Sequence, residues 1–549
     1  MRWESEYRGR QANSAILLRL LSLAMVAVLL HLGQVHAQED TAKSGPLREA
    51  VYRRPLGADP ETLDPARIRD IYSRSVAQQI FDGLVQFDQT LAVMPALAQF
   101  WTSSRDGLNW TFHLRKGVKF HHGKELDAED VVFSITRLLD PKTGSSAADL
   151  FLGIRGARAF RAGRAKAIEG LSAVDRYTVR AILDETHAPL VSLLAMGHAK
   201  VVPKDIVGRA PDEFGLHPIG TGPFRFVSWE RGKQIVLASN PDYFDGRPRL
   251  SRVVYKIFTG EQVEEMYAEF RRGNLEDTPV PMLNYRRVLA RADHVYVKRP
   301  MLNVRFFGLN TRWGPFRDRR VRRALLFALD REGIVESAFL GRYVPARGVL
   351  PPGTMGYNPN LRGIAHDAEK ARQLLAGAGY PGGRGLPVVP VWSGIRQEAF
   401  VRMYELVRRS WAEVGIRTEM RYESDWPTYS GMLAEGRLPV FLYTWYADVP
   451  DPDNFLSKLF HSRSPQNLFG YANPIVDGLL EEARRTPDMQ RRVELYRRAE
   501  QIILDDAPLI PILHHTYERL FQPYVRSVEV NGLGDPYIPL RKIWLDRKD

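Results

Sequence analysis

The chain has 549 residues, 44% hydrophobic and 26% charged, the balance of a soluble globular protein and too long for a single ordinary domain. It contains no cysteine, which excludes disulfides, thiolate metal sites and cysteine nucleophiles. The formal net charge is +13, yet lysine supplies only 15 of the 77 basic residues and the arginines spread along the whole chain, so the excess reads as compositional rather than as a nucleic-acid or membrane-binding surface.

Residues 1–37 read as a secretory leader. Arg2, Arg8 and Arg10 precede an apolar run over 15–30, interrupted once by Arg19, and Val35-His36-Ala37 offers a cleavage site before Gln38. The alternative, a membrane anchor, is disfavoured by a run shorter than the roughly 20 residues that span a bilayer and by the charge inside it. No Cys at the cut means no lipid anchor through that residue. The mature chain is therefore expected in the periplasm, which argues against a nucleic-acid partner.

Further along, residues 110–114 (WTFHL) alternate apolar and polar, the period of a half-buried strand, and lead through Gly117 to the loop His121-His122-Gly123. Asp127 caps a helix with Val131, Ile135 and Leu138 on one face, and Asp140-Pro141 ends it. Asp318 opens a second helix. Val321, Ala324, Leu325, Ala328 and Leu329 face inward, and Arg319, Arg322 and Arg323 are expected outward. A third helix is predicted over 488–504 with Val493, Tyr496 and Ile503 inward. Pro508 and Pro511 then frame an apolar strand over 509–513. Stretches 345–359 and 381–387 are Pro/Gly-rich loops. Strands and helices interleave throughout, predicting an α/β protein with parallel or mixed sheets.

Catalytic signatures are missing: there is no P-loop, no H-E-x-x-H and no G-x-S-x-G. The adjacent pairs His121-His122 and His514-His515 would point to opposite faces of a strand, a poor basis for metal ligation. The pairs Asp505-Asp506 and Glu481-Glu482 read as solvated helix faces. No cofactor or metal is expected, and no enzyme is indicated. The most specific segment is residues 445–455, WYADVPDPDNF, which follows an apolar strand expected over 440–444. Two aromatics and a carboxylate come off a strand end, where open α/β sheets bind ligands. Trp445 and Tyr446 offer flat apolar walls with polar tips, and Asp448 could receive an ammonium group. Asp451 and Asp453 are expected to cap turns or helices, and a cap is the competing role for Asp448.

Several motifs, in order, resemble the family 5 solute-binding proteins of bacterial ABC importers, the group that includes dipeptide- and oligopeptide-binding proteins. They are Glu61-Thr-Leu-Asp-Pro-Ala66, Ile80-Phe-Asp-Gly-Leu-Val85, residues 110–121 (WTFHLRKGVKFH) with Ala128-Glu-Asp-Val-Val-Phe133, Gly220-Thr-Gly-Pro-Phe224, Asn240-Pro-Asp-Tyr-Phe244, Arg319-Arg-Val-Arg-Arg-Ala-Leu325, Ala376-Gly-Ala-Gly-Tyr380, the segment from Asp448 to Phe455, and Asp506-Ala-Pro-Leu-Ile-Pro511. The resemblance implies a two-lobed, three-domain α/β binding protein of the class II periplasmic type, with a hinge. Domain I would comprise 38–83, 187–302 and 508–549, domain II the insertion 84–186, and domain III, the second lobe, 303–507. A monomer would close on a small peptide and deliver it to an inner-membrane permease driven by separate ATPase subunits, in keeping with the missing P-loop.

The same resemblance implies site residues. Asp448 would pair with the ligand's ammonium group, with Trp445, Tyr446 and Ala447 beside it and Trp426 as a pocket tryptophan. Asp70, Ile71 and Tyr72 would form a wall from the first lobe, against an ordinary helix cap as the competing role. His514 or His515 would supply a pocket ring, and Arg396 lies near the stretch where a peptide carboxylate would find a cation. The family also takes nickel complexes, glutathione, haem, opines and some sugars, so a non-peptide solute stands as the alternative, followed by a secreted hydrolase and a periplasmic sensor or chaperone.

Overall fold

The computed structural model describes residues 50–260, 262–361 and 365–547; the leader expected over 1–37 lies outside them. No helix among the described residues is long and apolar enough to cross a membrane. Four sheets carry the architecture. The first places Val51–Leu56 parallel to Arg252–Ile257, followed by Gln234–Ser239 and Phe224–Glu230 in antiparallel order. The second is fully antiparallel: Ala98–Ser103, Asn109–Leu114, Thr178–Ile182 and Leu171–Asp175. A three-stranded sheet sets Thr516–Phe521 between Asp277–Pro279 and Val295–Pro300. The largest is six-stranded and mixed, in the order Val344–Pro345, Leu509–His514, Asn303–Leu309, Val440–Tyr446, Val389–Ser393, Thr418–Tyr422.

The strand at 110–114 and the helix after Asp127 form as their patterns require: Asp127 accepts from the N–H groups of Glu129 and Asp130 in a capping box over the helix Ala128–Leu139. Asp318 caps Arg319–Phe327, whose apolar face is buried. Arg322, expected outward, is instead buried, because its guanidinium satisfies the carbonyls of Phe316 and Asp506 that the helix ends leave without partners. On Met489–Asp506 the inward residues are Arg492, Leu495, Tyr496, Ala499, Glu500, Ile503 and Leu504, while Val493 is only half-buried. Asp506 is no solvated carboxylate: it accepts from Tyr471 at 2.7 Å and Asn473 at 2.9 Å. Pro511 sits inside Leu509–His514, at the irregularity where its partner strand shifts register between Arg305 and Phe306, a bulge being where a strand tolerates proline. That strand pairs with Asn303–Leu309 in the six-stranded sheet, so the sheet reaches past residue 507, where the second lobe was expected to stop. At Gly308 a Cβ would meet the Phe441 ring at 2.2 Å, so glycine is what lets Phe441 lie across the neighbouring strand.

The chain passes between the three-stranded and six-stranded sheets twice, at Met301-Leu302 and at His515. The two passages lie side by side, with Met301 N–H donating to the His515 carbonyl at 2.9 Å. Two connections paired this way can bend together, the arrangement of a hinge.

Several recognisable motifs meet at one joint away from this crossing. Gly222 N–H donates to the Ile80 carbonyl, and a Cβ on Gly220 or Gly222 would strike that carbonyl at 2.0–2.5 Å. Asp82 accepts from Thr221 and Tyr243, and His121 donates through Nε2 to Gly222 while Nδ1 accepts from Gly220. Asp64 is locked in a buried ion pair with Arg137. These motifs hold sheets and helices together rather than face a ligand.

Candidate functional site

The strand expected over 440–444 extends to Tyr446, so Trp445 and Tyr446 belong to the sheet and not to the loop. Their register explains it: Tyr446 pairs with Asn303 and Trp445 with Val304. Ala447 continues by donating its N–H to the Leu302 carbonyl at 2.8 Å. Trp445 Nε1 donates to the Asn454 carbonyl at 2.8 Å, which folds the loop back on the strand end. Tyr446 is 50% exposed; its hydroxyl meets His515 Nδ1 at 2.8 Å and the rings stack 5.7 Å apart. Tyr446, Ala447 and His515 thus gather at the double crossing.

Asp448 follows at the loop's start. Its N–H donates to Asn454 Oδ1 at 3.0 Å, its carboxylate has one long contact, 3.4 Å, from Asn454 Nδ2, and it caps no helix. No cation among the described residues lies within ion-pair distance of it. The other two acids behave otherwise. Asp451 accepts from Asp453 N–H, as a turn acid should, but also takes a bidentate pair from Arg492 at 2.8 Å. Asp453, expected as a cap, lies in the first turn of Asp453–Phe460 and pairs with Arg484, Ser457 and Tyr496. Burial opposes its ionisation, but Arg484 and Ser457 outweigh that and hold it below the ordinary range.

Two further groups, not singled out in the sequence, feel the charge of this loop. The Asp448 charge acts on both His198 and Tyr537, as does that of Arg74. His198 is buried and its Nε2 donates to the Ile68 carbonyl at 2.9 Å; burial and then Arg74 push its pKa down to about 4, so it is neutral. Tyr537 also lines a cavity of about 410 Å³ with Phe87, Met94, Arg115 and Arg541. A smaller cavity of about 130 Å³ lies between Val449, Asp451 and Asn454 on one side and His187, Pro189 and Leu193 on the other.

The remaining expected residues scatter. Asp70 is the cap of Ile71–Ile80, its carboxylate taken up by the N–H and hydroxyl of Ser73 at 2.7 and 2.5 Å, so it has the capping role and not a ligand role. Ile71 is 53% exposed and Tyr72 half-buried on that first turn. Trp426 begins Trp426–Ala434, is 56% exposed and stacks on Tyr443 at 6.2 Å. Arg396 is exposed and lies over the Tyr422 ring at 5.4 Å. His514 is no pocket wall: it is fully buried, with Nδ1 2.6 Å from the Asn303 carbonyl, and burial lowers its pKa to about 4. Its neighbour His515, facing the opposite way, is the ring that reaches Tyr446. Arg305, which drew no attention in the sequence, lies beneath this group, 6% exposed, with its guanidinium 4.4 Å from the Phe400 ring centre.

Residues 92–467 match the family model for bacterial extracellular solute-binding proteins, family 5. The chain is 32% identical over 519 residues to heme-binding protein A of Haemophilus influenzae, covering 90% of this chain and 92% of that protein. It is 31% identical over 480 residues to the dipeptide-binding protein of Escherichia coli, covering 83% and 87%. Among solved structures it superposes on the Helicobacter pylori periplasmic binding protein DppA in complex with peptide STSA with a TM-score of 0.74 at 29% identity, covering 90% of this chain and 98% of that one. The unliganded open form of the murein tripeptide binding protein MppA gives 0.79 at 27% identity, covering 92% and 99%. A fold of paired sheets with a double crossing and a loop acid at its edge is thus that of an extracytoplasmic binding protein. The chain belongs to the bacterial extracellular solute-binding proteins, family 5.

Proposed function

We propose that this protein captures a small peptide between two lobes in the periplasm and delivers it, chemically intact, to an inner-membrane ABC permease driven by separate ATPase subunits. The observation that carries the reading is Asp448: a carboxylate at the strand end beside Tyr446, with neither an ion pair nor a capping duty, where a ligand's ammonium group would complete it. Excluding water on closure strengthens that contact. Main-chain groups of an extended peptide can pair with exposed backbone, which binds without reading side chains. The leader would be removed near Ala37, and the mature chain would act as a monomer. Residues 51–83, 187–302 and 516–547 would form domain I, 84–186 the insertion, and 303–514 the second lobe, with the ligand favouring the closed state by touching both lobes.

A thermal-shift screen of the purified protein against peptide, amino-acid, sugar and metal pools tests this. A ligand at 100 times its Kd adds about 2.7 kcal/mol of stability. A di- or tripeptide pool should raise the melting temperature, with the peptide recovered unaltered. Stabilisation by another pool alone, or hydrolysis of the peptide, would contradict the reading.

A further inference from the structure

A cavity of about 620 Å³ has none of Asp448, Tyr446 or His515 in its walls. Two stretches of the chain close on it. Arg158, on the short helix Ala157–Arg161, and Glu185 come from one stretch. The helices Asp453–Phe460 and Pro474–Arg485, with the turn that follows the first of them, come from the other. The two stretches touch where Ala188 N–H donates to the Arg484 carbonyl at 3.1 Å. In the proposed division Arg158 and Glu185 belong to the insertion and the two helices to the second lobe.

Five cations line this space against two acids, Glu185 and Glu481. Part of that charge belongs to the fold. Arg484 and Arg485 stand in the last turn of Pro474–Arg485, where the helix dipole favours them. Arg484 pairs with Asp453 at 3.1 Å, and Glu481 is shared by Arg463, His461 Nε2 at 3.1 Å and Arg485 at 3.9 Å. Arg158 and Lys458 differ. The acids near Arg158 are engaged elsewhere, Asp184 with Arg155 at 3.7 Å and Asp149 with Arg161 at 3.4 Å. Among the described residues neither Arg158 nor Lys458 has a carboxylate within ion-pair distance, and Lys458 is half-buried. With Asp453 counted, five cations meet three carboxylates, which leaves two positive charges over. Like charges gathered around one space repel, and an anion of matching charge relieves that repulsion. A phosphomonoester carries about −1.5 to −2 charge at pH 7 on three acceptor oxygens, where a carboxylate carries a single charge. The volume lies within the range of small-molecule sites and leaves room for an organic part beside the phosphate.

We infer that this crevice is a second binding site, which takes a phosphate group between Arg158 and Lys458. The phosphate belongs to a small phosphorylated solute or to a lipid headgroup, and the same chemistry recognises both. The site uses other residues and the opposite charge from the one at Asp448, so it does not depend on the peptide reading.

The test is calorimetric titration of the mature protein at low ionic strength with inorganic phosphate, glycerol 3-phosphate and acetate. Wild type should bind glycerol 3-phosphate saturably, about tenfold or more tightly than acetate, with an affinity that falls as salt is added. Arg158→Gln and Lys458→Gln should each weaken that binding about fivefold. Glu185→Gln should tighten it about twofold, because a competing negative charge is gone. Arg409→Gln removes one exposed charge from the helix Glu398–Glu413, lowers the net charge equally and should leave the binding unchanged. Sedimentation with phosphatidylcholine vesicles, with and without phosphatidic acid, separates the two sources. Pelleting that requires phosphatidic acid and is lost in Arg158→Gln and Lys458→Gln would assign a headgroup. No pelleting beside binding of glycerol 3-phosphate would assign a soluble solute. Binding of none of the phosphate probes, acetate bound as tightly as glycerol 3-phosphate, or an equal loss in Arg409→Gln would overturn the assignment.

Discussion

Asp448 and Asp451 are three residues apart on one loop, and their surroundings are opposite. Asp451 is buried and gripped by both ends of the Arg492 guanidinium. Asp448 has one weak contact and, among the described residues, no cation within ion-pair distance. The same contrast separates two sets of buried arginines. Arg54, Arg519, Asp277 and Asp535 neutralise one another within 3.2 Å, whereas no carboxylate among the described residues reaches Arg305. Asp451 and the Arg54 cluster carry their own counter-charges, whereas Asp448 and Arg305 have none within ion-pair distance among the described residues.

Breaking the paired side should cost most. Arg492→Ala leaves Asp451 buried without its cation, and the expected loss is about 3–5 kcal/mol of stability, read by chemical denaturation. A loss below about 1 kcal/mol would mean the loop is not anchored there.

Glu500 sharpens the comparison as an intermediate case. It is buried, and one carboxylate oxygen accepts the N–H groups of Val349 and Leu350 at 2.8 and 2.9 Å, with no cation bound. Burial outweighs those hydrogen bonds and raises its pKa from 4.5 to about 7. Between those values the folded protein holds a proton that the unfolded chain has released, so stability falls as pH rises through the window, by about 3 kcal/mol in all. Glu500→Gln should abolish that part of the slope, so the variant's advantage over wild type grows between pH 5 and pH 7.5. Parallel melting curves against pH would contradict it.

The smallest expected effect is on the unpaired side. Asp448→Asn should change ligand-free stability by no more than about 0.5 kcal/mol, since its carboxylate has only one long contact and no ion pair among the described residues. A large loss would mean that Asp448 is structural.

The sequence made the elements legible and the site only partly so. Caps at Asp127 and Asp318, the helix start near 488 and the periodic faces behind them were readable because local side chains satisfy local backbone. The motifs that carried the family resemblance, around Asp82, His121 and Gly222, turned out to form a packing joint. Asp70 read equally as cap or wall, and only the Ser73 contacts distinguish the two. The strand end ran two residues further than its apolar run, because Tyr446 and Trp445 find partners in Asn303 and Val304, far away in sequence. Arg305 was hidden for the same reason: an arginine inside an apolar strand shows neither which face it takes nor whether an acid awaits it. Arg322 and Arg492, expected outward or overlooked, found carbonyls and Asp451 only through the tertiary fold.

The most direct measurement is the affinity of wild type and Asp448→Asn for one dipeptide with a free amine and for its N-acetylated form, by calorimetry. Wild type should lose roughly a hundredfold on acetylation, and Asp448→Asn should bind both forms equally weakly. Equal wild-type binding of the two forms, or undiminished binding of the free amine by Asp448→Asn, would contradict the account.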